Sequence, residues 1–150
     1  MPTDPLLVAC PSCGTLNRVP AARLTGGGTC GRCRGRLFEG RPVALTAANF
    51  DRHAAESDLP LLVDFWAAWC APCRAFAPTF ARAAEVLEPR VRLGKVDSDA
   101  EPDLSRRFGI RSIPSLILVQ RGRERARAAG ALPLADLVRW TEQALSGPAA

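Results

Sequence analysis

A chain of 150 residues holds one domain of ordinary size plus a small appendage that needs its own staple. With 47% hydrophobic and 23% charged residues it is neither disordered nor fibrous, and no apolar run nears the roughly 20 residues of a membrane-spanning helix. The net charge of +5 is scattered without a run of five basic residues, so it marks neither a nucleic-acid nor a membrane partner.

The start, MPTDPLLVAC, has no basic segment and only a short apolar run, which predicts no secretory signal and a cytoplasmic protein. There thiols are kept reduced, so paired cysteines point to metal binding or redox catalysis rather than structural disulfides. All six cysteines fall in Cys-x-x-Cys pairs: Cys10 with Cys13, Cys30 with Cys33, and Cys70 with Cys73.

Residues 1–40 carry two of these pairs, a TGGGT run and little helical periodicity, and cannot bury enough apolar surface to fold alone. Cys13 and Cys30 have 16 residues between them, the spacing of a four-cysteine structural zinc site. Four thiolates at about 2.3 Å complete a tetrahedral shell with no open position, so the zinc would hold the lobe and catalyse nothing. Gly14 and Gly31, each just after a ligand, suit knuckle turns whose N–H groups face the sulfurs. Two local disulfides are the alternative, disfavoured by the compartment, and iron–sulfur proteins use other spacings.

From Arg41 onward the pattern alternates between strand and helix, which predicts a second domain over 41–150 and a zinc-ribbon or knuckle lobe over 1–40. Pro42 to Leu45 reads as a short strand, and Thr46 as the cap of a helix through AANFDRHAAES. LLVDFWA, bounded by Pro60 and the third cysteine pair, suits a strand buried on both faces. A helix through CRAFAPTFARAAEVL follows, with a kink expected at Pro78. VRLGKVDS is the next strand and PDLSRRFG a short helix ending at Gly109. SLILVQ and RERARAA form a hairpin about an Arg-Gly turn. LADLVRWTEQAL closes the chain as an amphipathic helix with Leu134, Leu137, Val138, Trp140 and Leu145 inward. The expected fold is α/β, a mixed sheet with helices on both faces.

Cys70 and Cys73 stand at a strand-to-helix junction rather than in a glycine-rich loop. At a helix start the free N–H groups and the dipole favour a thiolate at Cys70, the nucleophile of disulfide exchange. Cys73, one turn later on the same face, can then displace the substrate. Pro72 lies where a missing N–H costs little, and its fixed φ stiffens the loop between the sulfurs.

At LLVDFWAAWCAPC, FAPTF, GKVDSD, RRFGIRSIPSLILV and AGAL, in order and spacing, the chain resembles thioredoxin across roughly residues 41–145. With the four-cysteine preface it is similar to the zinc-binding, thioredoxin-2 type of the bacterial family. The family's usual Trp-Cys-Gly-Pro-Cys has Ala71 in place of glycine, a change that costs little early in a helix and leaves the reduction potential open.

The resemblance implies a thioredoxin fold and protein-disulfide reduction with a redox-active Cys70–Cys73 disulfide and no organic cofactor. Asp64, in an apolar strand, should have a raised pKa and serve through a water as base for Cys73, with Lys95 tempering the shift. Pro114 is expected to be cis, with the backbone of Ile113 offered to an extended client segment. Trp69, Ala71, Pro72, Ile113 and Gly130 should form the apolar docking patch, Trp66 and Trp140 serving as support. His53, the only histidine, is expected to face solvent. Implied partners of a monomer are thioredoxin reductase, peroxiredoxins, methionine sulfoxide reductases and ribonucleotide reductase, with a role in redox homeostasis and oxidative-stress defence.

Three other readings stand beside this one. The Cys-x-x-Cys loop could be tuned for an oxidase or isomerase. The basic zinc lobe could be a binding module, although with only Phe38 for stacking it is poorly suited to nucleic acid. Oxidants could strip zinc and thereby alter the catalytic domain.

Overall fold

The computed structural model describes residues 4–147, so the outermost residues of both expected segments, 1–3 and 148–150, lie outside it. In the amino-terminal lobe, β1 (Leu6–Ala9) pairs antiparallel with β2 (Leu16–Val19), and a 3-10 turn follows over Ala21–Gly26. Leu6, Val8, Val19 and Leu37 bury with Cys10 and Cys30 in a small core of their own, completed by Leu59 from the rest of the chain.

β3 (Val43–Leu45) opens the larger unit. The helix expected next is present in shortened form: a turn over 47–49 leads into a helical stretch over 50–56 whose last five residues, Arg52–Glu56, are π-helical. Thr46 still acts as a cap: its hydroxyl accepts from the Ala48 N–H at 3.2 Å, while its own N–H donates to Asn49 Oδ1 at 2.7 Å. The element stays short because Ser57 and Asp58 are taken by the lobe. The Leu7 N–H donates to Asp58 Oδ2, and Leu7 O accepts from both the Asp58 N–H and the Ser57 hydroxyl.

β4 (Leu61–Trp66), α1 (Ala71–Leu87), β5 (Arg92–Asp97), α2 (Pro102–Arg107), β6 (Ser115–Gln120), β7 (Arg123–Ala129) and α3 (Leu134–Ser146) complete the fold. The sheet order is β3-β5-β4-β6-β7, with β3, β5 and β4 parallel and β6 and β7 antiparallel to their neighbours. α1 runs as one element through Pro78.

Leu61 to Phe65 are wholly buried because β4 is central and covered on both faces. Its alternation sends Leu61, Val63 and Phe65 to the face packed with Phe50, Leu104 and Phe108, and Leu62 to the face under α1 and α3. Each such side chain contributes about 1.5–3 kcal/mol of burial, so this run anchors both layers. Gly94 on β5 has no substitute: a Cβ there would run into the buried Leu45 side chain. Trp140 is half-buried against the α1–α3 layer, as expected of a supporting residue.

The two parts meet at a buried ion pair. Arg92 at the start of β5 donates to Glu88 Oε2 at 3.0 Å, to Ala9 O at 3.0 Å and to Leu37 O at 2.8 Å, and lies over the Phe38 ring at 4.7 Å. Glu88 Oε1 accepts the Gly40 N–H at 2.8 Å. Burial pushes the Glu88 carboxyl up and the Arg92 guanidinium down, each opposed by the other's charge. Such a pair adds little net stability while intact, and losing one member is costly.

His53 corrects the sequence expectation. It is 1% exposed, inside the π-helical turn, and both ring nitrogens lack a partner among the described residues. Burial, and then the Arg92 charge, pull its pKa down to about 4, so it is neutral at ordinary pH. A lone histidine in a polar-looking stretch reads as exposed; the packing of the lobe onto that stretch covers it.

Candidate redox centre and zinc site

β4 ends at Trp66, and the chain turns through Ala67 to place Cys70 as the N-cap of α1, its backbone extended at φ −86° and ψ 108°. A cap residue presents its side chain to the free N–H groups of the first turn. Here Cys70 Sγ accepts the Cys73 N–H at 3.2 Å, and Pro72 lies in that first turn. The two cysteines form a disulfide, Cα to Cα 5.2 Å, and are nearly covered, at 5% and 2% exposure. When the bond is reduced, the same N–H and the helix dipole favour a thiolate at Cys70.

Across from the pair, the Ile113–Pro114 peptide is cis, and Ile113 O lies 3.7 Å from Cys70 Sγ. The Gly130 N–H, at a φ of 85° that favours glycine, donates to Pro114 O at 2.8 Å. Ile113 and Gly130 are half-buried; Ala71, Pro72 and Trp69 are exposed, Trp69 by 69%. The indole is held by a residue the sequence did not single out: Trp69 Nε1–H donates to Asp99 Oδ2 at 2.9 Å. Asp99 is 30 residues away from Trp69, and only the β5–α2 turn, organised by Asp97 Oδ1 on the Asp99 N–H, brings it there.

Asp64 is 0% exposed, and neither carboxylate oxygen has a partner among the described residues. Burial raises its pKa to about 7, against a lowering pull from Lys95, its neighbour across the strands. It shares the face of Leu62, so the carboxyl lies under α1, the helix that begins at the cysteines. Lys95 Nζ is stacked over the Trp66 ring at 4.6 Å.

In the lobe, the sulfurs of Cys10, Cys13, Cys30 and Cys33 all lie within 4.8 Å of one another. The contacts Cys10–Cys33 and Cys13–Cys30 are both 3.6 Å and cross between the pairs. A tetrahedral ZnS4 shell with bonds of about 2.3 Å requires sulfurs about 3.8 Å apart, whereas a disulfide requires about 2.05 Å. The residues fit zinc. Backbone N–H groups of Ser12, Arg32 and Gly35 point at Cys10, Cys30 and Cys33, each at 3.4 Å.

The two knuckles repeat each other. Gly14 N–H to Cys10 O and Arg34 N–H to Cys30 O are 2.9 and 3.0 Å, with φ of 79° at Gly14 and 67° at Arg34. The expected turn position at Gly31 is therefore Arg34 instead, and the Gly31 N–H goes to Asn17 Oδ1 at 2.9 Å rather than to a sulfur. Asn17 also donates to Cys30 Sγ at 3.5 Å. Its place on β2, 13 residues before Cys30, gave no signal of this role.

A Cys-x-x-Cys disulfide at the start of a helix, facing a cis-proline loop on a five-stranded mixed sheet, defines a thiol–disulfide oxidoreductase. Comparisons with known proteins agree. The thioredoxin family profile matches residues 41–143, and a profile described as "Thioredoxin 2, N-terminal", a zinc ribbon, matches residues 9–35. Thioredoxin C-3 of Corynebacterium nephridii is 42% identical over 140 residues, 93% of this chain and 96% of that protein. The thioredoxin of Alicyclobacillus acidocaldarius is 44% identical over 95 residues, 63% of this chain and 90% of that protein. The crystal structure of chloroplastic thioredoxin z superposes with a TM-score of 0.65 at 29% identity, covering 71% of this chain and 96% of that one. The chain belongs to the thioredoxin family and carries the thioredoxin-2 zinc ribbon at its amino end. No helix among the described residues is long and apolar enough to cross a membrane.

Proposed function

We propose that the protein reduces disulfides of cytoplasmic client proteins, with residues 1–40 as a structural zinc lobe and 41–150 as the redox domain. The reduced Cys70 thiolate attacks a client disulfide, forming a mixed disulfide and releasing one client thiolate. Cys73 then attacks the Cys70 sulfur, which releases the second client thiolate and closes the Cys70–Cys73 bond. Two electrons pass to the client, and an NADPH-dependent thioredoxin reductase returns them. Asp64, buried without a hydrogen-bond partner among the described residues and poised near neutral pH, takes the Cys73 proton through a water, with Lys95 limiting its shift. Trp69, Ala71, Pro72, Ile113, Pro114 and Gly130 receive the client. Peroxiredoxins, methionine sulfoxide reductases and ribonucleotide reductase are the client classes this reading includes, and oxidative-stress defence its setting.

The observation that carries the proposal is the Cys73 N–H aimed at the Cys70 sulfur from the helix start. It supports Cys70 as the attacking thiol. Cys70→Ser should abolish insulin-disulfide reduction, while Cys73→Ser should trap mixed disulfides through Cys70. Full activity of the Cys70→Ser protein would end the proposal.

A further inference from the structure

The arginines differ between the two parts, with Arg82 and Arg111 the exceptions beyond Gly40 that have neither an ion pair nor a side-chain hydrogen bond among the described residues. Beyond Gly40, nine arginines pair with carboxylates: Arg41, Arg52, Arg90, Arg92, Arg106, Arg107, Arg121, Arg127 and Arg139. In the lobe, Arg18, Arg23, Arg32, Arg34 and Arg36 are all exposed, and none makes an ion pair or side-chain hydrogen bond among the described residues. From Pro11 to Phe38 there is no acidic residue to meet them. Three of the five belong to one segment. Arg32, Arg34 and Arg36 lie in or just after the second knuckle, whereas Arg18 alternates with Asn17 on β2 and faces away from it.

Arg34 is the telling position. It holds a φ of 67°, the left-handed conformation that the matching place in the first knuckle gives to Gly14. A long side chain is kept where glycine is the unstrained choice, a local cost of the kind that marks functional surfaces.

A zinc ion with four thiolates carries a net charge of −2, which offsets part of the +5 of this segment and leaves about +3 facing solvent. Among the described residues the lobe offers no exposed aromatic for base stacking, which counts against a nucleic acid. It suits a short Asp/Glu-rich polypeptide segment. The patch is also remote from the disulfide. Arg92, bound to the carbonyl just before Cys10, pairs with Leu61 at the start of β4, whereas Cys70 follows the strand's far end. About 17 Å of strand separates the two sites, so one client can occupy both.

We propose that Arg32, Arg34 and Arg36 form a docking site for an acidic segment of a disulfide-bearing protein client. This rests on the client-reduction reading above. The segment raises the local concentration of the client's disulfide without touching the chemistry.

The test uses the full zinc-loaded chain and a variant with Arg32→Gln, Arg34→Gly and Arg36→Gln. A labelled twelve-residue Glu/Asp peptide should bind the wild type at low salt, and the variant at least tenfold more weakly. A model disulfide peptide with an acidic extension on a ten-residue linker should show a KM several-fold lower than the same peptide without it, for the wild type only. kcat should be common to all four combinations. Arg34→Gly alone should weaken the labelled peptide without lowering Tm, which a merely structural role of Arg34 would not allow. Equal binding by variant and wild type, no binding by either, or a duplex DNA of matched charge binding tenfold tighter than the peptide would each overturn the assignment. Insulin reduction reads the redox chemistry separately, so loss of docking with intact insulin turnover leaves the catalytic reading standing.

Discussion

Replacing Asp64 with asparagine removes a charge and keeps the shape. The folded carboxyl titrates near 7 and the unfolded one near 3.8. A folded pKa raised in this way gives a stability term that is whole below pH 3.8 and is lost as pH climbs through 7. The slope is about 1.4 kcal/mol per pH unit in that window and the total about 4 kcal/mol. Asp64 is wholly buried, so solvent does not discount the figure. The amide introduced by Asp64→Asn is itself buried without a partner, a cost that does not vary with pH. The informative quantity is therefore the change in the variant-minus-wild-type gap. From pH 5.5 to 8.5 it should move by about 2 kcal/mol in favour of Asp64→Asn. Urea unfolding of the oxidised, zinc-loaded proteins at four or five pH values, followed by tryptophan fluorescence, measures this. A gap that stays constant, or that moves the other way, refutes the desolvated carboxyl and with it the base assigned to Cys73. In the same variant, resolution of the mixed disulfide should slow about a hundredfold at neutral pH.

Further outcomes test the rest of the molecule. His53 has the opposite linkage: its folded pKa is about 4 against 6.5, so its contribution is present above 6.5 and is lost as pH falls through 4. Acidification thus gains through Asp64 what it loses through His53, and the wild type should show a shallow pH profile. His53→Leu should gain about 2 kcal/mol over wild type between pH 8 and pH 5 in the same urea assay. Arg92→Met leaves Glu88 buried and two carbonyls without their donor, so stability should fall by about 3–5 kcal/mol, with faster limited proteolysis of the lobe. Glu88→Gln, which keeps the hydrogen-bonding shape, should cost less. Chelation of zinc should release about one metal equivalent per chain and melt the four-cysteine lobe, read as lost amide protection over residues 6–37.

The local chemistry could be read from neighbours in sequence. Two Cys-x-x-Cys pairs at ribbon spacing specify a tetrahedral metal shell, because each ligand pair lies within a single turn. The third pair, between an apolar run and a helix with proline in its first turn, specifies a nucleophile at a helix cap. The apolar run of β4 specified a central strand, and Asp64 within it a desolvated carboxyl. Tertiary structure decided what depends on distant residues meeting. Asp99 reaches Trp69 only through the β5–α2 turn, and Arg92 clamps the lobe only because β5 starts where Ala9 and Leu37 end. The docking of Leu7 onto Ser57 and Asp58 packs the lobe against the preceding helical stretch and ends it at Glu56, so His53 is buried where the local pattern fits an exposed helix. Periodicity records which face a residue presents, whereas burial and pKa depend on what packs against that face. Here what packs against it is a second lobe whose position no short stretch of sequence encodes.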